Sequence, residues 1–337
     1  MAVNPSEPLM SPDVSSDVVK KITNYMADEL SEVTDILRKS IRSESDIITK
    51  VGEYLSITPG KKLRPLLTLL VCKATNSEIR PPLEVAASLE LIHVATLLHD
   101  DVIDKASLRR GKPSVNARWG DDVAILMADF LYAGAFDLAL SALDPEVVRL
   151  ICQVSQKMCE GEMLQIELRE RTYSLNEYIE IVGCKTGSLF SACTALGAIF
   201  AGRSSGEVAA ASAFGHNFGV AFQITDDILD FTADEEQLGK EIGMDVFSGK
   251  QTLPILYAIE SATEEDRKYL QQWLGHRDDF GAVREIVDRY KGLDRAIETA
   301  QDYANRATAA LDRLECTDAE GRDHLASLVP YVVSRTF

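Results

Sequence analysis

Apolar residues recur at i, i+3, i+4 and i+7 over about 17–40, 62–75, 80–104, 120–142, 146–171, 175–202 and 206–232, with several further stretches after 251. Alternation with period two is nearly absent, so the pattern predicts helices and almost no strands. Punctuation falls at Pro59-Gly60, Pro81-Pro82, Arg110-Gly111-Lys112-Pro113, Asp144-Pro145 and Gly239 to Gly249, where one helix gives way to the next. The expected architecture is all-α, one large helical bundle over residues 17–337. Residues 1–16 (MAVNPSEPLMSPDVSS) lack both a secretory and a mitochondrial targeting pattern and are expected to be a disordered N-terminal tail.

Two of the predicted helices, near 86–104 and 208–231, are apolar on most faces, as elements surrounded by others must be. Both end in acidic clusters. Charged residues at the end of a buried helix can face an internal cavity, so the bundle is expected to enclose one.

Composition narrows the functions. The 337 residues carry a net charge of −18, which repels nucleic acid phosphates and argues against binding DNA or RNA. An anionic small molecule would bind only where basic side chains or metal ions reverse the local sign. No stretch offers the roughly 20 uninterrupted apolar residues of a membrane-spanning helix. Six cysteines lie scattered without C-x-x-C spacing, which fits buried thiols in a reducing cytosol and no zinc site.

The first acidic cluster is Asp100-Asp101-Val102-Ile103-Asp104. At 3.6 residues per turn Asp100 and Asp104 stack on one helix face, while Asp101 points about 100° away. Carboxylates one turn apart can share divalent ions, and magnesium favours a few carboxylates, waters and substrate phosphates. A solvated helix end is the plain alternative. The second cluster, Asp226-Asp227-Ile228-Leu229-Asp230, repeats the spacing, and bridging cations would relieve the repulsion between two such ends. Basic residues sit beside both: Gly60-Lys61-Lys62-Leu63-Arg64 and Arg109-Arg110 near the first, Gly239-Lys240 and Gly249-Lys250 after the second. Arginine forks and lysine point charges together suit diphosphate groups.

These motifs resemble the trans-isoprenyl diphosphate synthases, from about residue 20 to the C-terminus. The resemblance rests on Glu90-Leu91-Ile92-His93, both aspartate motifs, Arg109-Arg110-Gly111, Cys159-Glu160-Gly161-Glu162 with Gln165, Lys185-Thr186, Phe222-Gln223-Ile224 and Gly239-Lys240 through Asp245 to Gly249-Lys250. It implies a prenyltransferase that joins isopentenyl diphosphate to an allylic prenyl diphosphate with two to three magnesium ions. By the family pattern the metal-binding set is Asp100, Asp104 and Asp226, with Asp101, Asp227 and Asp230 mainly supporting or acting through water. Arg109, Lys185, Lys240 and Lys250 would hold the allylic diphosphate; Lys61, Arg64, His93 and Arg110 would hold isopentenyl diphosphate; Lys185, Thr186 and Gln223 would line the reacting centre. The chain departs from the family in having Pro59-Gly60 where two glycines are common and Lys62 where arginine is.

Ala95 and Thr96 lie one turn before Asp100 on the expected helix and are both small, which resembles the open floor of enzymes making longer products. A medium to long product of about C30–C50 is therefore expected, with a C15 or C20 product as the alternative. Met127, Phe130 and Tyr132 are candidates for a deeper stop. Surplus apolar residues over 123–140, together with the family pattern, imply a cytoplasmic homodimer. A terpene cyclase would normally carry Asn, Ser or Thr and Glu in its second metal motif, and an inactive regulatory subunit would show eroded aspartates. Neither feature is present.

Overall fold

The computed structural model describes residues 12–56, 62–109, 111–169, 171–232, 243–273 and 280–334. The chain folds as helices α1 (Pro12–Tyr25), α2 (Ala27–Ser40), α3 (Asp46–Ser56), α4 (Leu63–Thr75), α5 (Leu83–Ile103), α6 (Val115–Trp119), α7 (Asp121–Leu140), α8 (Pro145–Glu167), α9 (Leu175–Val182), α10 (Ser188–Phe200), α11 (Ser205–Thr232), α12 (Met244–Phe247), α13 (Leu253–Ser261), α14 (Glu264–Trp273), α15 (Phe280–Arg289), α16 (Gly292–Leu311) and α17 (Ala319–Ser334). Among the described residues the only strands are two-residue β1 (Leu108–Arg109) and β2 (Lys112–Pro113), an antiparallel pair turned by Gly111 at φ 72°.

Local chemistry places the helix ends. Asp144 caps α8 by accepting from the Glu146 backbone N–H, with Pro145 at the first helical position. Ser174 and Glu177 form a reciprocal capping box on α9. Two expectations need correcting. The backbone is already helical from Pro12, inside the stretch expected to be a tail; residues 1–11 lie outside the described residues. The single helix expected over 17–40 breaks at Met26, and α3 occupies a stretch in which the periodicity marked no helix.

α11 is the axis of the bundle, packed against α10, α16 and α17, while α5 packs against α7, α4 and α2. Each is enclosed by neighbours, which explains why its sequence is apolar nearly all round. Phe190 on α10 meets Phe218 on α11 edge-to-face at 5.4 Å, and burying each such ring contributes roughly 1.5–3 kcal/mol. The α4–α10 crossing is closer still: a Cβ on Gly197 would lie 2.5 Å from the Thr68 carbonyl oxygen, so only glycine fits.

Between α9 and α10 the helix widens into one π turn, Gly183–Gly187, closed by the Ser188 N–H to the Gly183 carbonyl. The extra residue reorients the side chains at Lys185 and Thr186 without ending the helix. α7 is long and apolar enough to cross a membrane, the one such helix among the described residues. Its buried side, Ala124, Met127, Ala128, Leu131, Ala135 and Ala139, packs into the core with α5, and Asp129 and Asp137 interrupt the apolar run.

Candidate active site

The ends of α5 and α11, the middle of α8, the π turn and the segment around Lys250 surround a cavity of about 790 Å³. α5 contributes His93, Thr96 and Asp100, and α11 contributes Gln223, Asp226 and Asp227. The two acidic helix ends therefore face one shared hollow, as their positions on buried helices predict.

Cationic side chains already balance these carboxylates. Asp104, at the C-terminal cap of α5, lies 2.8 Å from Lys250 Nζ and 3.3 Å from Arg169 Nη2. Lys250 also reaches Asp245 at 3.8 Å. Burial works against the Lys250 charge, but Asp245, Asp104 and Asp100 outweigh it and hold the ammonium above its ordinary range. Lys185 forms an ion pair with Glu162 and donates to Gln165 Oε1 at 2.8 Å. Burial pushes Asp100 up to about 6; Lys185 and Lys250 pull it down, while Glu162 and Asp104 push it further up.

The remaining aspartates do other work. Asp101 is 1 % exposed and turns away from the main cavity onto Arg109, whose Nε lies 2.8 and 3.0 Å from its two oxygens and whose Nη2 lies 2.7 Å from Oδ1. Burial raises Asp101 above the usual carboxylate range even though Arg109 pulls it down. It holds Arg109, which lines the cavity, while Asp101 itself does not line it. Asp230 is fully buried, does not line the cavity, and accepts from the Asp245 backbone N–H at 2.9 Å. It ties the Lys250 segment to α11. Burial, then Asp245, push Asp227 up to about 7 against hydrogen bonds from Tyr178 and Gln223.

Arg64 and His93 also line the cavity, with the Arg64 guanidinium 4.7 Å above the Phe190 ring. Lys62 lines the same rim and donates to Thr34 Oγ1 at 2.6 Å. Lys61, Arg110 and Lys240 lie outside the described residues. Thr186 donates to Gln223 Oε1 at 3.0 Å across the cavity wall. Thr96 reaches that wall beside Tyr132, Met158 and Cys159, but Ala95 does not: it is fully buried in the apolar core shared by α5 and α7. Neighbours on a helix diverge by about 100°, so only one of the two small residues can form the floor. Of the three deeper candidates, Tyr132 lines the cavity, whereas Met127 is buried in the core and Phe130 packs against it.

Sequence reading missed Tyr178, Arg169 and Gln251. Tyr178 donates to Asp227 Oδ2 at 2.6 Å. Gln251 donates to the Arg171 carbonyl at 2.8 Å and accepts from the Tyr173 N–H, fastening the Lys250 segment to the α8–α9 loop. No local motif signals these contacts, because each joins residues far apart in sequence.

Among the described residues, no three His, Cys, Asp or Glu side chains converge to form a ready-made metal site. The acidic donors that line the hollow include carboxylate oxygens on α5 and α11, beside His93, His99 and Cys159. That chemistry fits a hard cation such as magnesium, which takes one or two carboxylates and fills its octahedron from water and substrate.

A family profile described as polyprenyl synthetase matches residues 45–290. The chain is 39 % identical over 325 residues to a short chain isoprenyl diphosphate synthase of Methanothermobacter thermautotrophicus, covering 91 % of this chain and 99 % of that one. It is 37 % identical to a nonaprenyl diphosphate synthase of Mycobacterium tuberculosis, covering 91 % and 92 %. A polyprenyl synthase of Caulobacter crescentus, solved in complex with calcium and isoprenyl diphosphate, superposes with a TM-score of 0.88 at 34 % identity over 95 % of this chain and 98 % of that one.

The Arg109–Asp101 pair makes a measurable demand on stability. Breaking a buried ion pair costs roughly 3–5 kcal/mol, and because Arg109 is 38 % exposed the expected loss for Arg109→Met is about 2–3 kcal/mol. Urea unfolding of Arg109→Met, Asp101→Asn and the double variant checks it. The double variant should lose less than the sum of the singles, and strict additivity would deny the pairing.

Proposed function

We propose, because the chain belongs to the polyprenyl synthetase family of prenyltransferases, that it condenses isopentenyl diphosphate with an allylic prenyl diphosphate to give an all-trans polyprenyl diphosphate. The observation that carries this reading is one cavity lined by Asp100 and Asp226 together with Lys185, Lys250, Arg109 and Arg64, and also by Thr96, Tyr132 and Met158. Its charged side chains suit diphosphates and cations, and its apolar ones suit hydrocarbon.

Asp100, Asp104 and Asp226 would hold two to three magnesium ions. Bound magnesium supplies positive charge against the oxygens of the departing diphosphate. Lys185, Lys250 and Arg109, with Lys240, bind the same group, and Arg64 and His93, with Lys61 and Arg110, bind isopentenyl diphosphate. The allylic C–O bond breaks heterolytically, its electron pair leaves with diphosphate, and the carbon becomes an allylic cation. The isopentenyl double bond attacks that cation, forming the new C–C bond. A proton then leaves the adjacent carbon for the released diphosphate and a new trans double bond closes. Thr186 and Gln223 present neutral oxygens to the cation, which stabilise it without capturing it.

Each cycle buries about five further carbons, worth on the order of 3–4 kcal/mol. Growth is therefore favourable until a side chain blocks it. Thr96 leaves the wall open beneath Asp100, and Tyr132 stands next along it, stacked on His99 at 6.0 Å and on Phe136 at 6.4 Å. A product of about C30–C50 follows from that opening. The short-chain relative keeps a C15 or C20 product as the second reading.

α7 exposes Ile125 and Leu126 away from the cavity, with Leu126 68 % exposed. Large apolar side chains exposed together mark an interface. A second copy of the chain is the partner we assign to this face.

Purified protein incubated with magnesium, isopentenyl diphosphate and farnesyl diphosphate should yield elongated products on reversed-phase separation, and none with chelator. Asp100→Ala should keep its circular dichroism and lose about a thousandfold in turnover, since several kcal/mol of stabilisation go with the ligand. Unaltered turnover would refute the metal assignment. Thr96→Phe should shorten the product by one or more isoprene units and Tyr132→Ala should lengthen it; an unchanged distribution in both would reject this wall as the measure of length. Leu126→Glu should halve the mass seen by sedimentation equilibrium, and a wild-type monomer would remove the dimer proposal.

A further inference from the structure

Three hydrogen bonds run in sequence behind the reacting centre. Tyr178 donates its hydroxyl to Asp227 Oδ2 at 2.6 Å, the Gln223 side-chain N–H donates to Asp227 Oδ1 at 3.1 Å, and Thr186 donates its hydroxyl to Gln223 Oε1 at 3.0 Å. Thr186 thus donates to Gln223 and Gln223 to Asp227 in one direction, and Tyr178 donates to the other oxygen of the same carboxyl. With both carboxylate oxygens engaged by donors, the Gln223 amide is held with its nitrogen toward Asp227 and its oxygen toward Thr186. The Thr186 proton is then committed as well, so the oxygens that line the cavity carry lone pairs and no competing donor.

We propose that Tyr178 is a positioning residue and Asp227 the terminal acceptor of a polarised hydrogen-bond chain, which together fix the Gln223–Thr186 arm with its oxygens toward the allylic cation. This deepens the prenyl-transfer reading of the same cavity and rests on it. A carboxylate placed directly against an allylic cation would attack it and form an ester. Asp227 is 5 % exposed and Tyr178 4 %, so little of the carboxyl is open to the cavity and its polarity passes through two neutral groups. Successive hydrogen bonds of one direction reinforce each other in a low-dielectric setting. Burial and the adjacent Asp227 hold the Tyr178 phenol protonated, well above its ordinary range, so it remains a donor.

The fold supplies the alignment. Tyr178 sits on α9, Thr186 on the π turn and Gln223 and Asp227 one turn apart on α11. The π turn sends Lys185 toward Glu162 and Gln165 on α8 and Thr186 toward α11. Removing the Tyr178 hydroxyl would leave Asp227 Oδ2 without its donor. The carboxylate would then turn toward another one, and the amide would lose its fixed sense.

Steady-state kinetics of the full-length Tyr178→Phe variant test this, with farnesyl diphosphate and a fluorinated farnesyl diphosphate as starters. The proposal expects kcat to fall about tenfold to a hundredfold, the range seen when a supporting hydrogen bond to a working group is lost, with KM for both substrates within twofold of wild type. The fluorinated starter, whose cation is less stable, should suffer a larger loss in the variant than in wild type. Gln223→Glu, which cannot donate to Asp227, should lose kcat at least as severely. A Tyr178→Phe kcat within twofold of wild type, or a loss carried by KM alone, overturns the proposal. If wild-type protein fails to elongate any starter, the function reading fails instead, and a crystal structure of Tyr178→Phe still decides: the Gln223–Thr186 hydrogen bond should be broken, and finding it intact rejects the chain.

Discussion

Carboxylates at the ends of two buried helices cannot face one hollow without compensation, and that constraint organises this molecule. Asp100 on α5 and Asp226 on α11 line that hollow, and burial disfavours ionisation of Asp100, with Glu162 and Asp104 adding to the effect. Lys250, Lys185 and Arg169 answer them with ion pairs to Asp104 and Glu162. These lysines are the same groups assigned to the substrate diphosphate. If cations and diphosphate bind as proposed, Asp104 would pass from Lys250 to a metal while Lys250 passes from Asp104 to a phosphate. The acidic exterior, at net −18, keeps this positive rim local.

The bundle separates the polar and apolar halves of the task along single helices. α5 ends in its aspartates and, one turn earlier, offers Thr96 to the cavity wall; its other faces, including Ala95, are spent on packing against α7. α11 carries Asp226 at the cavity and Asp230 in the core, where it anchors the segment bearing Lys250. The helices that hold the charges are thus fixed by the apolar contacts around them, and the charged ends have little freedom to collapse onto one another.

Much of this was legible beforehand because its cause is periodic. A helix with apolar residues on every face must be enclosed, so the cavity at the ends of α5 and α11 followed from spacing, whereas Asp104 meets Lys250 without lining it. What was not legible depends on rotation and distance. Adjacent residues diverge by about 100°, so Ala95 and Thr96 could not be told apart, and Asp101 could not be seen turning onto Arg109. The contacts of Lys250 with Asp104 and of Tyr178 with Asp227 join separate helices and leave no local pattern. α3 was overlooked because its amphipathic stretch is only 11 residues long.

The most direct test is a crystal structure of the chain with magnesium and an unreactive thio-analogue of the allylic diphosphate. The account predicts cations about 2.0–2.1 Å from oxygens of Asp100, Asp104 and Asp226, with Lys250 transferred from Asp104 to a phosphate oxygen. Cations bound elsewhere while Lys250 stays on Asp104 would contradict it.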